Sequence, residues 1–159
     1  MRMLFVCTGN TCRSPMAEAI ARQVAEERGL ADVVVTSAGT GAYEGATASD
    51  GALLVGMERG TDLGAHRSQP LTRELVADSE IVLVMSPQHL QRVRELGGEG
   101  KAYLLTDFAS HGASARAVSD PFGGDLEMYR ASYEELEREI RRVFDRLVKQ
   151  SASGGPQAE

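Results

Sequence analysis

The chain has little with which to staple itself together: its 159 residues include two cysteines, Cys7 and Cys12. One pair of thiols is no disulfide framework, and none is needed at this length, which suits one domain with a sizeable core. Long apolar runs are missing too. Nothing approaches the ~18 residues of a membrane-spanning helix, and Met1-Arg2 leads directly into an apolar segment without a signal-peptide pattern. The expected compartment is therefore the cytoplasm, where thiols stay reduced, and no membrane partner is expected. Positive charge is the third shortage. The 17 Lys and Arg against 23 Asp and Glu leave a formal net charge of −6, and the cations are scattered, so nucleic acid is not an expected partner. The three histidines lie too far apart in sequence to suggest a metal site. Neither G-x4-G-K-[ST] nor G-x-G-x-x-G occurs, and no metal and no organic cofactor is expected.

What is present is concentrated near the amino end. Met3, Leu4, Phe5 and Val6 form a short apolar run of the kind that a parallel strand covered on both faces needs, and it stops at Cys7. Ser14 and Pro15 then read as the N-cap and first position of a helix whose apolar residues Met16, Ala17, Ile20, Ala21 and Val24 recur at helical spacing. Cys7 thus sits at the carboxyl end of a strand with a helix amino terminus pointing at it. Between them, Gly9 and Asn10 are the residue types that most readily adopt positive φ, which lets the stretch from Thr8 to Cys12 curl until several backbone N–H groups converge. Such a concavity binds an anion. Arg13 adds charge and a planar fork of donors suited to phosphate oxygens. The same field favours a thiolate, so a nucleophile and an oxyanion cradle coincide.

The run from Cys7 to Arg13, continued by Ser14-Pro15-Met16-Ala17-Glu18, resembles the signature of the low-molecular-weight protein tyrosine phosphatase family, which also contains bacterial protein arginine phosphatases and thioredoxin-linked arsenate reductases. The resemblance implies a four-stranded parallel sheet in the order 2-1-3-4 and a protein phosphatase working through a phosphocysteine. It implies catalytic roles for Cys7, Arg13 and Asp120, the last in an Asp-Pro pair that serves as general acid and later as base for water. Thr8, Gly9, Asn10, Thr11, Cys12, Arg13 and Ser14 then bind the phosphoryl group. Asn10, Ser14, Ser37 and His66 are implied to form a hydrogen-bond network that keeps the loop in shape, with Ser14 also against the thiolate. Cys12 either guards Cys7 through a reversible disulfide under oxidation or is a small buried residue beside the helix.

Along the chain, the first helix spans about Pro15 to Arg28, stopped by Gly29, and Val33 to Thr36 is a second strand that ends in Ser37-Ala38-Gly39. A helix from Ala48 to Arg59 is weakened by Gly51 and Gly56, and Thr72 caps a short helical turn to Ala77. Ile81 to Met85 is the third strand, Ser86-Pro87 starts a helix to Leu96, and Ala102 to Leu105 is the fourth strand. Thr106 to Ser119 reads as a polar loop. A last helix over about Asp125 to Gln150 carries an apolar face from Leu126 to Leu147, with Glu134/Arg138 and Glu137/Arg141 pairs outside. Strands alternating with helices give a doubly wound α/β domain over 1–150, followed by a disordered tail over 151–159. In such sheets the site lies beyond the carboxyl ends of the strands.

Two positions speak to the substrate. Tyrosine-directed members of the resembled family usually carry an aliphatic residue where this chain has Thr11, and Thr resembles the arginine phosphatases. After Asp120-Pro121 comes one aromatic, Phe122, and then Gly123-Gly124. One aromatic wall suits a slender guanidinium that can stack on Phe122 and donate to Asp120. The expected substrates are proteins phosphorylated on arginine, with phosphotyrosine as the alternative. An arsenate reductase needs further cysteines far from Cys7, and none follows Cys12. A phosphoprotein-binding module without catalysis is expected to lack Cys7 or Asp120, and both are present.

Overall fold

Met3, Leu4, Phe5 and Val6 are buried because their strand, β1 (Arg2–Cys7), runs through the middle of a sheet. With β2 (Val34–Gly39), β3 (Ile81–Val84) and β4 (Ala102–Leu104) it forms a four-stranded sheet in the order β2-β1-β3-β4, every neighbouring pair parallel. The structure, a computed structural model, describes the backbone of residues 1–157 and the side chains of residues 1–150. The tail expected over 151–159 lies outside the fully described residues.

Successive strand residues point to opposite faces, and β1 divides its side chains accordingly. Met3, Phe5 and Cys7 face a core shared with α1 (Arg13–Glu27), α2 (Asp50–Glu58), α5 (Leu105–Ala109) and α6 (Leu126–Gln157). Leu4 and Val6 face a smaller core under α3 (Arg73–Asp78) and α4 (Pro87–Val93), where Val76 and Val93 meet them. Helices therefore cover both faces of a parallel sheet, as the apolar runs require. α6 lays its apolar face on the first of these cores: Tyr129, Tyr133, Leu136, Ile140, Val143 and Phe144 are all buried.

Several elements differ from expectation for identifiable reasons. α1 starts at Arg13 rather than Pro15, with Cys12 in the N-cap position and no side-chain cap, because Ser14 turns its hydroxyl elsewhere. β2 runs on through Ser37, Ala38 and Gly39, since β1 continues to offer partners as far as the Cys7/Gly39 pair. α2 begins at Asp50 rather than Ala48. α4 is shorter than expected and passes into a wide helical turn, Arg94–Gly98, in which Gly97 takes φ 97°. The stretch read as a polar loop from Thr106 contains most of α5: Leu105, Phe108 and Ala109 recur at helical spacing and are buried, a signal too short to stand out beside Thr106 and Asp107. Glu137 pairs with Arg141 as expected, but Glu134 pairs with Arg59, the residue that ends α2, and not with Arg138.

Gly51 illustrates how packing overrules propensity. A Cβ added there would lie 2.4 Å from a ring carbon of Tyr129, whose hydroxyl is 3.4 Å from Cys12 Sγ. Gly51 is the second residue of α2, where exchange for alanine gains at most the ~1 kcal/mol of a helix interior, whereas forcing a methyl into a filled site costs about 1–3 kcal/mol. The contact is severe and the ring is tethered, so the clash wins. Gly51→Ala is expected to lower stability by about 1 kcal/mol or more, read as a lower urea midpoint with an unchanged slope.

Candidate active site

The carboxyl end of β1 releases the chain into a loop, Thr8 to Cys12, that turns back into α1. Asn10 makes the turn, with φ 55°; Gly9, expected to share the left-handed region, does not enter it, since one such residue is enough to reverse the strand. Asn10 is fully buried and every polar group of its side chain is used. Its Nδ2 donates to Ser14 Oγ (2.8 Å) and to Ser37 Oγ (2.9 Å), and its Oδ1 accepts from the Gln69 amide (2.9 Å). His66 Nε2 donates to the Asn10 carbonyl at 2.7 Å. The four residues expected to form a network are thus brought together, and two more join them: Ser37 Oγ donates to Glu18 Oε1 (2.7 Å), and Gln69 Nε2 donates to the Ser37 carbonyl (2.9 Å).

Cys7 and Cys12 are both buried free thiols. Cys7 Sγ lies 2.8 Å from Ser14 Oγ. Cys12 Sγ has other partners, Ser49 Oγ and Tyr129 OH, each 3.4 Å away. Arg13 is 6% exposed; it donates to the Val118 carbonyl (3.1 Å), and its other terminal nitrogen is 3.5 Å from Asp120 Oδ2. Asp120 itself is half exposed, and its Oδ1 accepts from the Phe122 amide. The segment carrying it is clamped to α6: Arg116 pairs with Glu135 and with the buried Glu139, and the Ser119 amide and carbonyl bond Glu135 and Ser132. Cys7, Thr8, Gly9, Thr11, Cys12, Arg13, Asp120 and Phe122 together line a cleft of about 210 Å³. Asp125 and Asp107, the aspartates nearest to Asp120 in sequence, are not among its lining residues; Asp125 caps the start of α6 by accepting from the Met128 amide.

An acidic group beside an arginine, a thiol at a strand end and open helix-terminal N–H groups make a site for phosphoryl transfer. The family model for low molecular weight phosphotyrosine protein phosphatase matches residues 2–153. The chain belongs to that family. It is 40% identical over 153 residues to a protein-arginine-phosphatase of Bacillus subtilis, covering 94% of this chain and 98% of that one. It is 36% identical over 137 residues to the low molecular weight protein-tyrosine-phosphatase PtpB of Staphylococcus haemolyticus, covering 86% and 92%. Among solved structures, the YwlE arginine phosphatase carrying a phosphorylated active-site serine in place of cysteine superposes with a TM-score of 0.85 at 39% identity, covering 96% of each chain. This low-molecular-weight phosphatase shares with these relatives a fold that places the thiol loop where the sheet rule puts a site.

The phosphate loop also has a neighbour that no sequence motif marks. His89, buried in the first turn of α4, sets Nε2 2.8 Å from Thr8 Oγ1 and Nδ1 2.9 Å from Ser86 Oγ. Its pKa is pushed down to about 4, mainly by burial and then by the Arg13 charge, against a smaller opposing effect of Asp120. The ring is neutral at pH 7. Its spacing from Ser86, three residues along a helix start, was the available signal. Gln69 joined the network without any sequence pattern that marks it, and Glu18, the last residue of the run that resembles the family signature, was given no part in the network from sequence.

Gly39 closes this arrangement from β2. A Cβ there would stand 2.4 Å from the Thr8 carbonyl oxygen and 2.9 Å from the Asn10 amide nitrogen, both backbone atoms of the loop. Gly39→Ala is therefore expected to displace the loop and cut turnover of an aryl phosphate by roughly 10²-fold, while circular dichroism stays that of the folded protein. Wild-type turnover would show that the loop yields to the methyl.

Proposed function

We propose that this phosphatase hydrolyses phosphoarginine in proteins through a phosphocysteine intermediate, in the cytoplasm and without metal or organic cofactor. The observation that carries the arginine reading is the wall of the cleft. Thr11 lines it with a hydroxyl whose sole hydrogen-bond neighbour among the described residues is Cys12 Sγ, at a long 3.8 Å. That hydroxyl is free for a polar leaving group. Phe122, 74% exposed, is the cleft's one aromatic side chain and offers a face to a planar cation. The arginine phosphatase named among the relatives supports the same substrate.

Cys7 is the nucleophile and Ser14 its hydroxyl partner. The thiolate attacks phosphorus in line, forming the S–P bond as the P–N bond to the guanidinium breaks, and Asp120 gives its proton to the departing nitrogen. Arg13 and the loop N–H groups of Thr8 to Ser14 hold the equatorial oxygens while charge spreads over them. Water then attacks phosphorus, Asp120 takes its proton, and the S–P bond breaks to release phosphate and thiolate. Asn10, Ser37 and His66 hold the loop to the geometry this requires. Cys12 guards Cys7 by a reversible disulfide under oxidation, which requires it to leave Ser49 and Tyr129. The second reading, phosphotyrosine, is favoured by the family's own description.

Asp120→Asn is expected to slow turnover of phosphopeptides by about 10²–10⁴-fold with little change in phosphate binding; wild-type rates would move the acid elsewhere. Initial rates on matched phosphoarginine and phosphotyrosine peptides decide between substrates, and Thr11→Ile sharpens the answer. It keeps β-branching but exchanges the hydroxyl for an apolar arm. A lost hydrogen bond is a factor of roughly 2–13, more where a polar partner is stranded. The phosphoarginine over phosphotyrosine ratio of kcat/KM should fall about tenfold or more; equal slowing on both peptides would reduce Thr11 to a loop support.

A further inference from the structure

His89 touches the phosphate loop yet has no part in the chemistry just described. It reaches Thr8, whose exposed side chain lines the cleft with Cys7, from the helix that follows β3, across β1 from β2. A neutral imidazole between two hydroxyls carries one N–H and one lone pair, so the bridge from Ser86 to Thr8 has two possible polarities. Two observations select one. Ser86 occupies the N-cap of α4 but makes no capping bond to the helix, so the lone pair an N-cap hydroxyl ordinarily offers to a helix N–H is open to the Nδ1–H of His89. The positive charge of Arg13 lines the same cleft as Thr8, and it favours the lone pair on the nitrogen nearer that side, Nε2. Thr8 must then donate its own proton to Nε2.

A hydroxyl whose proton is committed inward presents only lone pairs outward. A guanidinium has N–H donors and no acceptor, so it finds in Thr8 an acceptor, whereas a phenol ring gains nothing from it. We propose that His89 is a positioning residue for substrate choice: by accepting the Thr8 proton it fixes Thr8 Oγ1 as an acceptor for the guanidinium N–H groups of phosphoarginine. Thr8 is then a specificity-determining contact alongside Thr11. The assignment rests on the phosphoarginine reading, and the two fail separately.

The test is kcat/KM on matched phosphoarginine and phosphotyrosine peptides for the wild type, Thr8→Val, His89→Leu, the double variant and His89→Gln, with thermal unfolding of each as a folding control. Thr8→Val alters an exposed side chain and keeps the experiment readable should His89→Leu fold poorly. Each single variant is expected to lower the ratio of kcat/KM for phosphoarginine over phosphotyrosine by about tenfold. The double variant should be no worse than either single one, because the residues act through one bond. His89→Gln, with an amide oxygen able to accept from Thr8, should recover most of the loss. Equal losses on both peptides, or additive losses in the double variant, overturn the inference while leaving the phosphoarginine reading intact. A wild type idle on phosphoarginine overturns both.

Discussion

Asn10 is buried and left-handed at once, and those two facts constrain most of the site around it. A buried amide costs ~1–3 kcal/mol for each group left unpaired, so Ser14, Ser37 and the Gln69 amide must converge on its side chain. They come from α1, β2 and a loop that runs alongside β2, and each is held in turn by its own element. The loop that follows Cys7 therefore keeps its curvature only while α1, β1 and β2 stay in register. That is why Gly39, which pairs with Cys7 across the sheet, is packed against the loop's backbone with no room for a side chain.

Three serine hydroxyls show how the site competes with ordinary helix construction. Ser49 and Ser86 occupy N-cap positions and Ser14 sits where a cap was expected, yet none bonds a helix amide. Ser14 turns to Cys7 and Asn10, Ser49 to Cys12, and Ser86 to His89. Thr72, which begins α3 away from the cleft, caps its helix in the usual way by accepting from the Leu75 amide. A lost cap is worth ~1 kcal/mol, so three helices near the cleft begin at some cost to the fold. Each of those hydroxyls instead holds a cysteine, or a residue bonded to the phosphate loop.

This contrast also explains what was legible in the sequence. The apolar runs Met3 to Val6 and Ile81 to Val84, the long face of α6 and the string from Cys7 to Arg13 are local signals, and the sheet, its order and the position of the thiol loop followed from them and from the family resemblance. Asp120, Ser37 and His66 were picked out because short motifs mark them. His89, Gln69 and Glu18 were not, because their roles arise only when α4, the loop before α3 and α1 are folded against the site. α5 escaped notice for a related reason: five residues are too few to display a period. Serine at a helix start was legible as a cap, and the sequence holds nothing to say that another partner would outbid the helix.

The uncapped start of α1 makes the protein's durability depend on what it turns over. An oxyanion seated in the cleft meets the open N–H groups of that first turn and completes the helix, as a capping side chain does elsewhere. Binding to the folded chain alone raises its stability by mass action, in proportion to the logarithm of ligand concentration. Phosphate is both the product of the reaction and the missing end of the helix. Occupancy of the cleft by phosphate thus slows the enzyme and steadies its fold through the same contact.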